Sequence, residues 1–453
     1  MPTANRPNFI FILADDLGYA DLGCTGAHQL TNVPISPHLD QLALDGMRFT
    51  DGYSNSAVCS PTRFALATGR YQYRIRAAAE EPLSSATARG HEGMGLDPKH
   101  PTVASLLRDA GYATALFGKW HLGYPPHFSP LKSGYETFFG ALSGGIDYFT
   151  HADPAGRHDL HQSVSGDIEP VHSDVYFTDL ISEQAVQFVA QQSAAKPFCM
   201  NLHYTAPHWP WETREDRAES QRLVAEQRKI FHVDGGSLAT YRKMVLQMDE
   251  GIGLVLAALD KAGLADNTLV VFTSDNGGER FSDVWPFVGG KMDLMEGGIR
   301  VPLLARWPAR IAPGQLNTTP AITMDWSATM LDAAGVPAQT DYPLDGHSLL
   351  PLFEAQPQST ELEARPLFWR MTHRAQRAMR LGPWKYLQVD GNQYLFNLDQ
   401  DQHERANLAT RFPERLAAMR VEWEAWAATM PAIPPEAKAS LVFSEKEIPK
   451  ATH

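Results

Sequence analysis

Residues 8–16, NFIFILADD, join an apolar run of strand length directly to two aspartates. The run from Phe9 to Ala14 is continuous rather than alternating. A continuous run of this length is typical of a strand whose two faces are both covered, as in a parallel sheet between helices. The segment therefore predicts a central parallel strand that ends at Asp15 and Asp16.

Three later apolar runs repeat this arrangement, and each is closely followed by unusual polar residues. They are 113–117 followed by Gly118-Lys119-Trp120-His121, 198–204 followed by Ala206-Pro207-His208, and 268–273 followed by Ser274-Asp275-Asn276-Gly277. In a largely parallel sheet, ligands bind beyond the carboxyl ends of the strands. We therefore expect these polar groups to meet at one edge of the sheet, although they lie far apart in the sequence.

Helical patterns alternate with these strands, which predicts an α/β fold. Apolar residues at helical spacing favour helices over 102–110, 179–192 and 240–262. Together with the strands they indicate a large mixed, mostly parallel sheet between helices. We assign residues 1–360 to this main α/β domain.

The last part of the chain has a different pattern. Short strand candidates at 367–370, 378–380, 384–389 and 394–398 are separated by Gly, Asn and Asp, and a helical pattern covers 413–428. This pattern predicts a small antiparallel sheet with one helix on it. We assign residues 361–453 to a second, α+β subdomain that ends in an extended tail.

The chain has 453 residues, a formal net charge of −13 and only short apolar runs. Nucleic acids and anionic membranes both require a basic face, so neither is an expected partner. No run reaches the length that crosses a bilayer, and residues 1–7 carry no apolar signal core. We therefore predict a cytoplasmic protein, or a periplasmic or secreted one if the chain is a trimmed mature form.

The three cysteines, Cys24, Cys59 and Cys199, give no disulfide framework, which fits a reducing compartment. Asn317-Thr318-Thr319 matches a glycosylation sequon, which we interpret as a chance match because no signal peptide is seen. The sequence leaves the oligomeric state open, with a homo-oligomer among the outcomes.

The polar residues at the predicted sheet edge are of two chemical kinds. Asp15, Asp16, Asp275 and Asn276 offer oxygen ligands, the set that a hard cation such as calcium or magnesium takes. Positive charge and proton donors come from Lys119, His121, His208 and Lys291. A divalent cation beside such groups stabilises a bound sulfate or phosphate oxyanion.

Cys59 is the candidate nucleophile, in the segment Val58-Cys59-Ser60-Pro61-Thr62-Arg63. Ser60 is a good N-cap and Pro61 suits the first helical position, so a helix is predicted to begin there. Cys59 would then lie at a helix N-terminus, where free N–H groups and the helix dipole favour anions. Arg63, one turn further on, can bind an oxyanion through two N–H groups.

Each of these features alone has an ordinary structural interpretation. Two aspartates after a strand usually form a turn, and DNGG at 275–278 is a common loop sequence. A lone lysine or histidine is usually a surface group, and a lone cysteine is usually a small buried apolar residue. The functional interpretation depends on their joint occurrence in one chain.

Taken together, the motifs resemble those of the type I sulfatases, which belong to the alkaline phosphatase superfamily. The resemblance is carried by Cys59-Ser60-Pro61-Thr62-Arg63 with Thr68-Gly69-Arg70, by Gly118-Lys119-Trp120-His121-Leu122-Gly123, by Pro7-Asn8-Phe9-Ile10 with 13–18, by Gly289-Gly290-Lys291 with 296–302, and by 382–386 with 394–398. It covers residues 7–430. It implies an alkaline phosphatase-like fold and an arylsulfatase-type enzyme that hydrolyses sulfate esters to an alcohol and inorganic sulfate.

The resemblance also implies cofactors and residue roles. Cys59 would be converted to formylglycine by a separate formylglycine-generating enzyme. One Ca2+ per chain would be held by Asp15, Asp16, residue 59, Asp275 and Asn276. Arg63 and Lys119 would hold the hydrated aldehyde and the sulfate, while His208 and Lys291 would contact the sulfate and the leaving oxygen. We assign His121 as the base, and His208 with Lys291 as proton donor to the leaving oxygen. The expected substrate is a small-molecule or carbohydrate sulfate ester.

Two other functions stay open: a phosphodiesterase or phosphonate monoester hydrolase of the same superfamily, and a catalytically inactive sulfatase-like binding protein. The intact motifs favour an enzyme over a binder. A tract at 147–174 contains His151, His158, His161 and His172, whose spacing fits no regular zinc pattern and favours a pocket loop. Segments 71–96 and 281–288 are further candidates for pocket walls. The sequence leaves open whether the alcohol is an aryl group, a sugar or a steroid.

Overall fold

The computed structural model describes residues 6–26, 34–75, 82–225, 229–354 and 360–433. In chain order the strands are β1 (Asn8–Ala14), β2 (Met47–Phe49), β3 (Gly52–Tyr53), β4 (Ala113–Gly118), β5 (Thr137–Ala141), β6 (Leu160–Val164), β7 (Asp167–Pro170), β8 (Phe198–His203), β9 (Thr268–Ser274), β10 (Leu303–Arg306), β11 (Gln315–Asn317), β12 (Ala321–Ile322), β13 (Leu367–Arg370), β14 (Arg377–Leu381), β15 (Trp384–Val389) and β16 (Asn392–Asn397). The helices are α1 (Pro37–Leu44), α2 (Cys59–Thr68), α3 (Ser85–Ala88), α4 (Val103–Asp109), α5 (Phe177–Ala190), α6 (Arg217–Ala225), α7 (Leu238–Lys261), α8 (Glu296–Ile299), α9 (Thr323–Ala334), α10 (Thr360–Ala364) and α11 (Pro413–Ala428).

Ten strands form one large mixed sheet in the order β11-β2-β10-β9-β1-β8-β4-β5-β6-β7. β1 lies inside the sheet and pairs in parallel with β9 and β8, and β4 and β5 continue in the same direction. β10 runs antiparallel to β9, and β6 and β7 form an antiparallel pair at the far edge. The predicted central parallel strand and the mixed, mostly parallel sheet are confirmed.

Both faces of β1 are covered, as its continuous apolar sequence predicts. Ile10 and Ile12 pack into a core shared with α5 and α7, in which Met244 is fully buried. Phe11 faces the opposite core, where Trp326 of α9 is fully buried. Because successive side chains of a strand point to opposite faces, the run places alternate residues in the two cores.

The predicted helices are confirmed within two residues at each end. The helix predicted over 102–110 is α4, and the side chain of Thr102 caps it by accepting a hydrogen bond from Ser105 N at 3.0 Å. The helices predicted over 179–192 and 240–262 are α5 and α7. The short strands β2, β5, β6, β7, β10 and β11 were not predicted, because three to five residues carry too little periodicity to separate a strand from a loop.

The last four strands form a separate antiparallel sheet in the order β13-β14-β15-β16, with α11 packed against β14 and β15. Trp423 Nε1 of α11 donates to Trp369 O of β13 at 3.0 Å. The predicted small sheet with one helix is therefore confirmed. The boundary proposed between residues 360 and 361 stays a prediction. Residues 355–359, shortly before this boundary, and the predicted tail after residue 433 lie outside the described residues.

Buried charges join this second sheet to the main domain. Lys385 Nζ on β15 lies 2.8 Å from Glu296 Oε1 on α8 and 2.8 Å from Glu404 Oε1. Glu404 Oε2 in turn accepts a hydrogen bond from Glu296 N at 2.6 Å. Because each buried charge has a partner of opposite sign, the contact fixes the position of α8 and of the segment before it, which carries Lys291.

One prediction about local structure was wrong. Helix α2 begins at Cys59, with Val58 as its N-cap, and not at Pro61 with Ser60 as the cap. The Ser60 hydroxyl instead accepts a hydrogen bond from Leu83 N at 2.7 Å. The Ser60 side chain, which the local pattern predicts as the helix cap, is therefore bonded to a residue distant in sequence. Cys59 nevertheless lies at the helix N-terminus, as predicted.

Across the described ranges, no helix is both long enough and apolar enough to span a membrane.

Candidate active site

The carboxyl ends of β1, β4, β8 and β9 bring the predicted polar residues to one edge of the large sheet. Asp15 N donates to Ala206 O at 3.2 Å, and Asp275 N donates to Ala14 O at 3.1 Å. Lys119 N donates to His203 O at 2.9 Å. Residues that follow four different strands are thus held side by side by backbone hydrogen bonds.

Carboxylate and amide oxygens form a buried cluster at this edge. Asp15, Asp16, Asp275 and Asn276 are each at most 1% exposed. Asn276 Nδ2 donates to Asp16 Oδ1 at 2.7 Å, and Asp16 N lies 3.4 Å from Asp275 Oδ1. Asn276 Oδ1 is buried and accepts no hydrogen bond from the part of the chain that the structure describes. An unpartnered buried oxygen among carboxylates indicates a ligand for a cation.

The donor set of this cluster fits a hard cation. Asp15, Asp16, Cys59 and His208 each place one potential ligand atom within 4.8 Å of the others. The oxygens favour calcium or magnesium over zinc or copper. We interpret His208 as a substrate contact rather than a ligand, because a hard cation prefers oxygen to an imidazole nitrogen.

Cys59 is 2% exposed in the first turn of α2, and its Sγ lies 3.4 Å from Asp15 Oδ1. Burial, followed by the Asp15 carboxylate, raises the pKa of the Cys59 thiol well above its usual value. In the absence of a cation the thiol is therefore protonated at neutral pH, which makes it a poor nucleophile. The helix N-terminus does not overcome the effect of burial.

Three buried cations face the three aspartates. Arg63 Nη2 and Nε donate to Asp275 Oδ2 at 2.7 Å and 3.0 Å. Lys119 Nζ donates to Asp15 Oδ2, and Lys291 Nζ donates to Asp16 Oδ2 at 2.7 Å. The formal charges of these pairs cancel. A bound divalent cation therefore gives the group a net positive charge, which complements an oxyanion.

His121 and His208 each have one ring nitrogen tied to a backbone carbonyl. His121 Nε2 lies 2.8 Å from Leu83 O, and His208 Nδ1 lies 2.7 Å from Trp209 O, so these nitrogens carry the protons. His121 Nδ1 is buried and bonds to no described residue, while His208 Nε2 lies 3.6 Å from Asp16 Oδ2. Burial lowers the pKa of both histidines well below the usual histidine range. The next largest cause is the charge of Lys119 for His121 and the charge of Lys291 for His208. Each ring is neutral and presents one acceptor nitrogen.

The carboxylates differ in their proton affinity. Burial raises the pKa of Asp275 to about 6, and the neighbouring Asp15 adds to the increase while Arg63 opposes it. Burial acts in the same direction on Asp16, but the charge and hydrogen bond of Lys291 outweigh it and the pKa of Asp16 falls to about 2. Asp16 is therefore ionised at neutral pH even without a bound cation.

Two further residues reach the site although the sequence analysis did not select them. Glu279 Oε2 lies 3.8 Å from Lys291 Nζ, and its side chain is 15% exposed. Burial raises the pKa of Glu279 to about 7, against the lowering effect of Lys291. His203 Nδ1 lies 3.2 Å from Lys119 O. Glu279 directly follows the DNGG sequence, and His203 is the last residue of β8. Both positions could have suggested a place in the site, but many surface residues lie at such positions.

The loop at 143–145 forms a wall of the site that the sequence did not predict. A Cβ atom added at Gly144 would lie 2.4 Å from His121 Cε1. One added at Gly145 would lie 2.8 Å from the Trp209 ring and 3.4 Å from His208 Cε1. Two glycines thus allow the backbone to approach both histidines closely.

The histidine tract at 147–174 does not form a metal site. Within the described ranges, the one group of His, Cys, Asp and Glu at metal-binding distances is that of Asp15, Asp16, Cys59 and His208. His158 and His172 instead stack with ring centroids 4.2 Å apart. Of the predicted pocket walls, segment 71–96 contributes Leu83 O to His121, and its residues 76–81 lie outside the described residues.

Comparison with known proteins agrees with this geometry. A family model described as Sulfatase matches residues 7–336, and one described as N-sulphoglucosamine sulphohydrolase, C-terminal, matches residues 290–415. The N-acetylgalactosamine-6-sulfatase of Mus musculus is 30% identical over 387 residues, which cover 80% of this chain and 68% of the relative. The steryl-sulfatase of Mus musculus is 32% identical over 424 residues, which cover 80% and 67%. The crystal structure of Ps i-CgsB in complex with k-i-k-neocarrahexaose has a TM-score of 0.80 at 30% identity and covers 94% of each chain.

The chain therefore belongs to the sulfatase family, within the alkaline phosphatase superfamily. It is an enzyme that hydrolyses sulfate esters, as the resemblance of its motifs implied.

Proposed function

We propose that this sulfatase uses a formylglycine made from Cys59 and one Ca2+, and that its substrate is a carbohydrate sulfate ester. The observation that carries the proposal is the position of residue 59. Its Sγ lies 3.4 Å from Asp15 Oδ1, beside a buried oxygen cluster in which Asn276 Oδ1 has no partner among the described residues. Burial raises the pKa of the Cys59 thiol and makes it a poor nucleophile in the absence of a cation, which supports a different attacking group at this position.

Two groups beyond the encoded side chains would complete the site. Ca2+ would be held by Asp15, Asp16, Asp275, Asn276 and residue 59, and it would supply positive charge that stabilises an ionised hydroxyl and the sulfate oxygens. Formylglycine in its hydrated form would supply two hydroxyls on one carbon, one for attack on sulfur and one for the release of sulfate.

The lysines bind the sulfate and arginine positions the residues around it. The ammonium group of Lys119 contacts Asp15, and that of Lys291 contacts Asp16. Each can turn a donor towards a sulfate oxygen while it keeps its aspartate contact. Arg63 directs its N–H groups to Asp275 and to Lys119 O, the latter at 3.1 Å, and so holds the end of β9 against the residues after β4.

His121, His208 and Lys291 provide the proton transfers. His121 presents Nδ1, which no described residue contacts by a hydrogen bond, as an acceptor, and this suits the base that removes a proton from a hydroxyl at residue 59. Lys291 is a charged donor next to Asp16 and protonates the leaving oxygen. His208 is neutral without substrate, and the negative charge of a bound sulfate ester raises its pKa and favours a shared donor role.

The carbohydrate class is supported by the relatives. One mouse relative is named an N-acetylgalactosamine-6-sulfatase, and Ps i-CgsB was crystallised with k-i-k-neocarrahexaose. Another relative is named a steryl-sulfatase, so a steroid sulfate is the second candidate substrate. Maturation by a formylglycine-generating enzyme and a cytoplasmic location stay predictions, and the oligomeric state stays open.

A mass spectrum of the peptide containing residue 59, from enzyme made in the native host, tests the proposal. We expect the mass change for replacement of the thiol by an aldehyde, and a rate on para-nitrophenyl sulfate proportional to the modified fraction. Chelation should abolish this activity and Ca2+ should restore it. A fully active enzyme with an unmodified cysteine would contradict the formylglycine proposal, and full activity after complete chelation would contradict the role of calcium.

A further inference from the structure

Glu279 places a buried carboxylate beside Lys291, and neither oxygen is hydrogen-bonded to a residue that the structure describes. Oε1 and Oε2 are both shielded from solvent, and neither has a hydrogen-bond partner in the described part of the chain. The nearest cation, Lys291 Nζ, lies 3.8 Å from Oε2, which exceeds hydrogen-bond distance. Since buried polar atoms in native proteins are nearly always satisfied, this carboxylate is one that a ligand can complete.

The loop after β9 holds Glu279 in this position. Lys291 N donates to Gly278 O at 3.0 Å, and Ser282 N donates to Glu279 O at 2.7 Å. The next residue is Arg280, whose Nη1 donates to His232 O at 2.8 Å and whose guanidinium lies 4.3 Å from the ring centroid of Trp211. The backbone therefore keeps the Glu279 and Lys291 side chains next to each other.

Contacts through Lys291 place Glu279 next to the reacting groups. Lys291 Nζ bonds Asp16 Oδ2 at 2.7 Å and faces Glu279 Oε2 at 3.8 Å. Asp16 in turn lies within 4.8 Å of the ligand atoms of Cys59 and His208. Glu279 is thus one contact removed from the centre at which the sulfate ester is cleaved.

The charge of Glu279 decides which part of the substrate it can serve. In its ionised form Glu279 repels the sulfate group, so it does not bind the sulfate oxygens. In the proposed mechanism Lys291 contacts the leaving oxygen, which belongs to the alcohol half of the substrate. A group on the carbon next to the ester would lie beside Lys291 and within reach of Glu279.

We infer that Glu279 forms a substrate subsite that accepts a hydrogen bond from a hydroxyl adjacent to the sulfate ester, such as the vicinal hydroxyl of a sugar sulfate. The inference rests on the proposed function and narrows its substrate class to sulfates of polyhydroxy compounds. An ester without this hydroxyl leaves the carboxylate buried and unbonded. A site built to hydrogen-bond a hydroxyl discriminates against the analogue that lacks it for this reason.

The test compares two esters that differ only in this hydroxyl: cyclohexyl sulfate and its trans-vicinal hydroxy derivative. Each competes with para-nitrophenyl sulfate for the calcium-loaded, formylglycine-containing enzyme, and the readout is the ratio of the two inhibition constants. We expect the hydroxy ester to bind about tenfold more tightly, as for a hydrogen bond to a charged group.

Variants assign this preference to one side chain. Glu279→Met should bring the ratio close to unity, because it keeps the length of the side chain and removes both acceptors. Glu279→Gln should give an intermediate ratio, because a neutral acceptor remains, and this variant decides the question if Glu279→Met does not fold. Glu422→Met, on the exposed face of α11, is the matched control and should keep the ratio of the unmodified enzyme.

A ratio near unity in the unmodified enzyme would overturn the inference. Equal weakening of both esters in Glu279→Met, with an unchanged ratio, would also overturn it, because that result describes a residue that only positions Lys291. If the complete enzyme does not hydrolyse sulfate esters, the proposed function fails, and calorimetric binding of the two esters then gives the ratio. Hydrolysis combined with a ratio near unity contradicts the subsite alone.

Discussion

Arg63 Nη2 donates to Asp275 Oδ2 at 2.7 Å and thereby joins residues that are 212 positions apart in the chain. The contact ties α2, whose first turn carries Cys59, to the segment directly after β9, which carries the predicted cation ligands. Both side chains are at most 1% exposed. The position of the nucleophile relative to the cation site thus depends on a buried ion pair.

The first prediction concerns this pair. In the calcium-free enzyme, Arg63→Met should lower the free energy of unfolding by about 3–5 kcal/mol, because it leaves Asp275 buried without its partner. Urea unfolding measures the change. The control is Arg108→Met, which breaks an exposed pair with Asp109 and should cost less than about 1 kcal/mol. Equal losses in the two variants would contradict the argument from burial.

A second prediction tests Asn276 as a cation ligand. Asn276→Ala should weaken calcium binding by about 10–100-fold, the range seen when the ligand environment of a metal is disturbed. A calcium titration of the thermal unfolding midpoint reports the affinity, since a ligand that binds only the folded state stabilises it. Asn392→Ala, on an exposed residue of β16, serves as the control. The same calcium dependence in all three proteins would exclude Asn276 from the site.

A third prediction uses the contact between Gly144 and His121. A Cβ at residue 144 would lie 2.4 Å from His121 Cε1, so Gly144→Ala must displace a ring that Leu83 O holds on the other side. We expect kcat on para-nitrophenyl sulfate to fall by about tenfold to a hundredfold, as for a displaced general base. The unfolding midpoint should change little. An unchanged kcat would show that His121 does not act as the base.

The fourth prediction separates sulfate from phosphate chemistry. A sulfate monoester has three terminal oxygens for Lys119, Lys291 and the cation, whereas a phosphate diester replaces one of them with a second ester group. Lys119 and Cys59 are at most 2% exposed, which leaves little room for that group. We expect kcat/KM for para-nitrophenyl sulfate to exceed that for methyl para-nitrophenyl phosphate by at least about tenfold. The reverse order would favour a phosphodiesterase or phosphonate monoester hydrolase.

A fifth prediction concerns pH and Asp249, away from the active site. Asp249 is buried and accepts hydrogen bonds from His38 N and Leu39 N at 2.9 Å and 2.8 Å, and burial raises the pKa of Asp249 from 3.8 to about 6. The folded state therefore binds this proton more strongly than the unfolded state does. The contribution of Asp249 to stability is greatest below pH 3.8 and falls as the pH rises to about 6, by at most about 3 kcal/mol.

Asp249→Asn should remove this dependence. Unfolding free energies of the calcium-free proteins, measured from about pH 4 to pH 7, should show a difference between variant and unmodified enzyme that changes over that window. Asp109→Asn, at an exposed position, should show no such change. A pH-independent difference for Asp249→Asn would mean that the side chain is equally acidic in both states.

Local sequence was sufficient for the features that depend on near neighbours in the chain. Strand β1, helix α11 and the four-stranded C-terminal sheet followed from apolar spacing and turn residues. The order of the motifs was sufficient for the family. The convergence of Asp15, Asp16 and Asp275 followed from one general rule, because parallel strands end at a common edge.

Other features required the folded chain, because they depend on distances between residues that no spacing encodes. The start of α2 at Cys59 depends on Leu83, which occupies the hydroxyl of Ser60. The close approach of Gly144 to His121 depends on the path of a loop between two strands. Glu279 looked like any acidic residue in a turn, and only packing shows that its carboxylate is buried beside Lys291 without a hydrogen bond from any described residue.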